Sequence, residues 1–126
     1  MKQLGGNDRI LNLIDVVKAI GCKVGIAINP NTQVSKIFDY VDNIDHVLIM
    51  SVEPGFSGQK FMPQVIEKVE HLINQRIAMN LNFKIGMDGG ISKNNIELLV
   101  QKGVDQIGVA SAIFSGPNFV QNLKDL

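Results

Sequence analysis

The sequence has no tryptophan, one tyrosine and a single cysteine, Cys22, among its 126 residues. One cysteine excludes an intrachain disulfide and fits a reducing compartment. No apolar run approaches the roughly 20 residues that a membrane-spanning helix needs. The amino terminus also lacks the apolar core of a signal peptide. We therefore expect a cytoplasmic protein that has no membrane partner.

An excess of charge of one sign is missing as well. Twelve Lys and Arg residues balance twelve Asp and Glu residues, so the formal net charge is zero, and the basic residues form no run. Nucleic acid is therefore not an expected partner. The two histidines, His46 and His71, have no partner at metal-ligand spacing, and no Ser/His/Asp set, Cys-x-x-Cys pair or Walker-type loop is present.

Strand-like and helix-like patterns alternate along the whole chain, which predicts a single α/β domain over residues 1–126. About five helical patterns are predicted, with starts marked by Asn7 or Asp8, Thr32, Pro63 and Ser92. Four short apolar segments are predicted as strands: 24–28, 46–52, 83–87 and 106–110. Such alternation predicts a parallel sheet covered by helices. Periodicity leaves open whether the sheet is doubly wound or part of a (β/α)₈ barrel.

A glycine-rich loop, Val-Glu-Pro-Gly-Phe-Ser-Gly-Gln-Lys-Phe over 52–61, follows the second of these strands. Gly55 and Gly58 let backbone N–H groups approach an anion without a Cβ in the way. A simple turn explains Pro54 and Gly55 but not the second glycine or Gln59. Ligands bind at the carboxyl ends of parallel strands, so we interpret the loop as a phosphate cradle.

Asp88 directly follows the apolar residues of the third predicted strand and precedes Gly89 and Gly90. An ordinary turn or helix-cap aspartate is one interpretation, although Ser92 is available as the cap. The other is a carboxylate at the mouth of the sheet, where it would bind a divalent metal or act as a general acid/base. The residues alone leave both interpretations open.

Two further residues stand at strand ends. Ser111 is either a helix N-cap or a backbone phosphate ligand beside Gly89 and Gly90. Met50 is either a core residue or a soft cover over reacting carbons, and core packing is the simpler interpretation.

Four segments, 25–32, 47–61, 87–91 and 110–114, occur in an order and spacing that closely resemble the second half of ribulose-phosphate 3-epimerases. The similarity extends from about Ile10 to Phe114. The resemblance implies a (β/α)₈ TIM barrel that binds ribulose phosphate, here represented by its last four βα units. It also implies interconversion of D-ribulose 5-phosphate and D-xylulose 5-phosphate in the pentose phosphate pathway. In that family two aspartates on opposite faces of the sugar exchange the C3 proton, and a divalent metal stabilises the enediolate.

By this resemblance Asp88 is the second aspartate, serving as acid/base and as metal ligand. The metal would be zinc, iron, manganese or cobalt. The resemblance also implies a set of residues that bind the substrate or its phosphate: Met50, Gly55, Phe56, Ser57, Gly58, Gly89, Gly90, Ala110 and Ser111. The family usually has glycine at Ala110, where the extra methyl would crowd the phosphate slightly.

Matched to the family, the sequence begins in the helix after the fourth strand. Counterparts of the first aspartate, both histidine ligands and a serine near the substrate are therefore missing, and this chain alone is expected to be inactive. Its expected partners are a sugar phosphate and either a second copy or a separate amino-terminal half. The alternative functions are a non-catalytic sugar-phosphate-binding half-barrel and a hexulose-phosphate 3-epimerase.

Overall fold

The computed structural model describes residues 8–52, 60–109 and 118–124. Its strands are β1 (Gly25–Ile28), β2 (His46–Met50), β3 (Lys84–Asp88) and β4 (Gln106–Gly108). Its α-helices are α1 (Arg9–Ala19), α2 (Ile66–Ala78), α3 (Ile96–Gln101) and α4 (Phe119–Lys124). Short 3₁₀ helices span Val34–Ile37 and Pro63–Val65. Each strand overlaps the segment predicted for it, so the predicted α/β class is confirmed.

The four strands form one parallel sheet in chain order, β1-β2-β3-β4. Because all four run in the same direction, their carboxyl ends meet at one edge. In register, Met50 of β2 lies beside Asp88 of β3, and Asp88 lies beside Gly108 of β4. The sheet thus brings together residues that are far apart in the chain.

The two faces of the sheet have different environments. On β2, Val47 and Ile49 are fully buried and alternate with the half-buried His46, Leu48 and Met50. Alternate residues of a strand point to opposite faces. The buried face packs in one core with apolar residues of the helices, among them Ile14, Val69, Leu72 and Leu99. Helices therefore cover one face, whereas the opposite face, which we call the open face, is only partly covered by the described residues.

At the amino-terminal ends of the strands, two aspartate carboxylates accept hydrogen bonds from backbone N–H groups of the neighbouring chain segment. The N–H of Val24 donates to the Asp45 carboxylate at 2.8 Å, and the N–H of Ile85 donates to the Asp105 carboxylate at 2.9 Å. Asp105 also pairs with Arg76 of α2 at 2.9 Å. This second aspartate therefore joins a helix to two strands.

The Asp105 contacts predict a pH dependence of stability. Burial raises the pKa of the Asp105 carboxyl, but the N–H of Ile85 and the guanidinium of Arg76 outweigh burial and lower its pKa overall. A depressed native pKa stabilises the fold above the unfolded pKa of about 3.9 and loses that contribution as pH falls through the native value. Urea unfolding from neutral pH to about pH 3 should show less acid sensitivity in Asp105→Asn, with Asp15→Asn as an exposed control. Equal acid sensitivity in all three proteins would contradict this assignment.

Helix starts agree only in part with the sequence prediction. Asp8 caps α1 as predicted, because its carboxylate accepts from the N–H groups of Ile10 and Leu11 at 3.0 Å. Pro63 stands in the first turn of its helical segment, also as predicted. The Thr32 prediction is wrong, since the 3₁₀ helix after it has Gln33 at the N-cap and no side-chain cap.

Ser92 departs from its predicted role as well. Its hydroxyl accepts a hydrogen bond from the N–H of Asn94 at 3.3 Å, but α3 begins later, after Asn95. The intervening turn therefore separates this serine from the helix that it was expected to cap. Within the three described ranges, no helix has both the length and the apolar character required to cross a bilayer.

Candidate active site

Three neighbouring strands place Met50, Asp88 and Gly108 side by side at the carboxyl edge of the sheet. Apolar residues of β3 are buried up to Met87, and Asp88 is the first partly exposed residue after them. The strand thus ends where its carboxylate leaves the core. The predicted pair of Met50 and Asp88 is brought together in register, and Met50 is half-buried.

Gly108 provides the space beside this carboxylate. A Cβ built on Gly108 would lie 3.1 Å from Cγ of Asp88 and 3.2 Å from its Oδ1. These distances are shorter than ordinary van der Waals contact, so any side chain here would press on the carboxyl group. The glycine on β4 therefore permits the observed Asp88 side-chain position.

Ser51 fixes the backbone at the end of β3. Its side chain is fully buried. The hydroxyl donates toward the carbonyl oxygens of Asp88 at 3.0 Å and Gly89 at 2.5 Å, and the Ser51 N–H donates to the Asp88 carbonyl at 2.8 Å. The Ser51 carbonyl accepts from the N–H of Met62 at 2.8 Å. Ser51 thus links the end of β2 by hydrogen bonds to the end of β3, at Asp88 and Gly89, and to the segment before α2, at Met62.

The turn after Asp88 needs glycine at both positions. Gly89 has φ +123° and Gly90 has φ +67°, a region that L side chains rarely adopt. The side-chain amide of Asn95 donates to the Gly90 carbonyl at 3.0 Å and accepts from the N–H of Ser92 at 3.0 Å. The exit turn of β3 is therefore held from both sides, by Ser51 and by Asn95.

The remaining predicted site residues lie outside the described part of the chain. They are Gly55, Phe56, Ser57, Gly58, Ala110 and Ser111. Their proposed roles stay predictions. The described part of the site therefore consists of the ends of β2, β3 and β4 and the turn at Gly89 and Gly90.

Two residues of this arrangement are absent from the sequence-based set of site residues. Ser51 directly follows the apolar run 47–50, and a hydroxyl immediately after such a run is a usable signal for a strand-end contact. Gly108 gives no local signal, because its importance depends on which residue lies beside it on β3. The register of the sheet identifies the partners of both residues, and for Gly108 it is the sole signal.

Ser51→Ala should destabilise the protein by about 1 kcal/mol, because the partly buried Gly89 carbonyl loses the hydroxyl that donates to it. The Asp88 carbonyl keeps the N–H of residue 51, so the loss falls mainly on the Gly89 carbonyl. Urea unfolding measures the change, and Ser35→Ala at an exposed position is the matched control. Equal stabilities of the two variants would show that the hydroxyl contributes nothing at this strand end.

A divalent ion is not accommodated by the described residues alone. Within the described ranges, no group of three or more His, Cys, Asp or Glu side chains converges as metal ligands would. Asp88 offers one carboxylate, whereas catalytic metal sites commonly use three protein ligands. A metal held by Asp88 would therefore need further ligands from outside the described residues.

Comparison with known proteins shows the family to which this chain belongs. The family model described as "Ribulose-phosphate 3 epimerase family" matches residues 6–114. The chain belongs to the ribulose-phosphate 3-epimerase family. Its sheet of consecutive parallel strands agrees with a partial form of the family's TIM barrel.

Individual relatives support the same assignment. The chain is 38% identical to the ribulose-phosphate 3-epimerase of Aquifex aeolicus over 120 residues, which cover 95% of this chain and 54% of that protein. It is 35% identical to the Escherichia coli (strain K12) ribulose-phosphate 3-epimerase over 119 residues, covering 94% and 52%. The Methanocaldococcus jannaschii relative is 38% identical over 114 residues, covering 90% and 49%. The chain thus spans about half the length of these relatives.

Proposed function

We propose that this chain takes part in the interconversion of ribulose 5-phosphate and xylulose 5-phosphate, with Asp88 as an acid/base at C3. The observation that carries the proposal is the Asp88 carboxylate at the carboxyl edge of a parallel sheet, beside Met50 and over Gly108. Ligands of parallel α/β proteins bind at that edge. Family membership supplies the reaction class.

The chemistry that one carboxylate can perform is well defined. Asp88 removes the C3 proton, and the C3–H electron pair forms the C2–C3 double bond while the carbonyl electrons move to the C2 oxygen. The protonated aspartate then returns a proton to C3, and the ketone re-forms. A base on one side of the sugar returns the proton to the same side. Asp88 alone therefore supports exchange with solvent, whereas inversion at C3 requires an acid on the opposite side.

Positioning of the sugar phosphate is the second part of the proposal. We infer that backbone N–H groups of Gly89 and Gly90 contribute to a phosphate site, supported by their left-handed backbone and the absence of side chains. Gly55, Phe56, Ser57, Gly58, Ala110 and Ser111 are proposed to complete it. We place the activity in the cytoplasm, which the single cysteine supports. The pentose phosphate pathway is proposed from family membership alone.

Deuterium exchange tests the proposal without requiring a complete epimerase. The purified chain is incubated with ribulose 5-phosphate in D₂O, and NMR follows the signals of the C3 and C1 protons. We expect catalysed loss of the C3 proton signal and no loss at C1, because Asp88 acts at one carbon. The exposed-site variant Asp15→Asn should exchange at the same rate.

The contrary result is equally informative. A folded chain that binds ribulose 5-phosphate but exchanges C3 no faster than buffer would overturn the catalytic role. The chain would then be a sugar-phosphate-binding half-barrel. Exchange with a ketohexose phosphate but not with ribulose 5-phosphate would replace the pentulose substrate by a hexulose phosphate.

A further inference from the structure

Gly89 and Gly90 each have a backbone N–H without an acceptor in the described part of the chain. Within the three described ranges, neither N–H donates a hydrogen bond to another residue. Both glycines are half-buried, and backbone N–H groups that are withdrawn from water normally have a partner. These two donors are therefore available to a ligand, and their directions decide whether one ligand can bind both.

The direction of each N–H is fixed by the carbonyl of the same peptide group. The peptide bonds that join Asp88 to Gly89 and Gly89 to Gly90 are both trans. In a planar trans peptide group, the C=O and N–H bonds point in opposite directions. The Asp88 carbonyl therefore sets the direction of the Gly89 N–H, and the Gly89 carbonyl sets that of the Gly90 N–H.

Ser51 is the hydrogen-bond partner of both carbonyls. Its backbone N–H donates to the Asp88 carbonyl at 2.8 Å, and its hydroxyl lies 3.0 Å from the Asp88 carbonyl oxygen and 2.5 Å from the Gly89 carbonyl oxygen. Both glycine N–H groups therefore point away from Ser51, which directly follows β2. Because β3 lies between β2 and β4 in the sheet, the Gly89 N–H is directed toward the β4 side of the site.

The Ser51 hydroxyl holds the second of these peptide groups by itself. A serine hydroxyl has one proton to donate, and its shorter contact is with the Gly89 carbonyl. The Asp88 carbonyl also has the Ser51 N–H as a donor, whereas no other described group donates to the Gly89 carbonyl. Loss of the hydroxyl would therefore release the peptide group between Gly89 and Gly90 and leave the preceding one held.

We propose that Ser51 is a positioning residue of the phosphate site, which aims the N–H of Gly90 at the same phosphate as the N–H of Gly89. A peptide group between two glycines needs such an anchor, because glycine has wide conformational freedom. Donors that are already oriented bind an anion without the cost of ordering them. This role rests on the phosphate part of the proposed function and is independent of the acid/base role of Asp88.

Titration of the full chain with inorganic phosphate, followed by ¹H–¹⁵N NMR, tests the role of Ser51. We expect phosphate to shift the amide signals of Gly89 and Gly90 in the wild type. Ser51→Ala keeps the backbone hydrogen bonds of residue 51 and should bind phosphate about 10-fold more weakly, because one charge-assisted hydrogen bond is weakened. The Gly90 amide should lose more of its shift than the Gly89 amide. Ser51→Thr retains the hydroxyl and should restore the affinity.

Two other variants separate positioning from loss of stability. Val104→Ala removes buried apolar atoms before β4, toward the amino-terminal end of the sheet, and should lower stability without weakening phosphate binding. Asn95→Ala removes the donor to the Gly90 carbonyl. That carbonyl shares its peptide group with the N–H of Ile91 and with neither proposed ligand. We therefore expect Asn95→Ala to weaken phosphate binding less than Ser51→Ala.

Three results would overturn the proposal. The first is a wild type in which the amides of Gly89 and Gly90 do not respond to phosphate. The second is a Ser51→Ala variant that binds phosphate as tightly as the wild type. The third is an equal loss of affinity in Ser51→Ala and Val104→Ala, since binding would then follow stability alone.

Deuterium labelling of ribulose 5-phosphate at C3 separates this role from that of Asp88. Ser51→Ala should raise the substrate concentration for half-maximal labelling about 10-fold and change the rate at saturation much less, because the Ser51 N–H still holds the Asp88 backbone. Phosphate binding that depends on Ser51 without any labelling would keep the positioning role and reject the acid/base role. Labelling with an unchanged half-saturating concentration in Ser51→Ala would do the reverse.

Discussion

Asp88→Asn is expected to lower the rate of C3 proton exchange by about 10²–10⁴-fold, the usual contribution of a general acid/base. The amide has nearly the same shape as the carboxylate but cannot accept a proton as a base. Ser51 contacts the backbone carbonyl of Asp88 rather than its side chain, so the fold should be preserved. The rate of deuterium labelling at C3 gives the result, and circular dichroism and urea unfolding report the fold.

The conservative variant Asp88→Glu sharpens this test. It retains a base but extends the side chain by one methylene, which moves the carboxylate away from its place beside Gly108. We expect exchange to be reduced by roughly 10–100-fold, because small displacements of a catalytic group are costly, and to remain above that of Asp88→Asn. Unchanged labelling in Asp88→Asn would place the base at another residue.

Gly89→Ala is expected to lower the free energy of unfolding by about 2–4 kcal/mol. A Cβ on Gly89 would lie 2.6 Å from Cγ2 and 2.9 Å from the backbone nitrogen of Val52. The φ of +123° adds backbone strain of order 1–3 kcal/mol for any residue with a Cβ. Because a backbone atom cannot move aside as a side chain can, the end of β2 must shift. Urea unfolding measures the loss of stability as a lower midpoint, provided that the m-value is the same as in the wild type.

Gly21→Ala separates the two causes. Gly21 also has a positive φ, +85°, but nothing lies within 4 Å of its hypothetical Cβ. This variant therefore carries the backbone strain alone, and we expect a cost of about 1 kcal/mol. The excess cost of Gly89→Ala is then the contact with Val52. Equal costs for the two variants would show that the end of β2 accommodates a methyl group freely.

Local patterns predicted most of the fold because the signals lie within each segment. Strands buried on one face by helices appear as short apolar runs, and all four occur close to their predicted bounds. The position of Asp88 at the end of β3, partly exposed, could be predicted for the same reason, since a carboxylate that ends an apolar run must leave the core. Its chemical role stays a prediction. The N-cap of α1 is likewise local, because Asp8 bonds N–H groups two and three residues onward.

Contacts between distant segments could not be predicted in this way. Ser51 matters because β3 ends beside it, and Gly108 matters because Asp88 lies beside it, yet these partners are far away in the chain. Thr32 has the composition of a cap, but the segment after it forms a 3₁₀ turn whose start has no side-chain cap. The register of the sheet decides the first two cases and loop geometry decides the third.

The consecutive strand order also bears on how the chain folds during translation. Each strand pairs with the strand made just before it, so β1 and β2 can form a ladder while β3 is still inside the ribosome. Every new strand then meets an edge that already exists, and only the segment since the last strand must close as a loop. Growth in this direction always leaves the newest edge unpaired. The nascent chain should therefore need protection at its most recently made strand, by a chaperone or by the next strand to emerge.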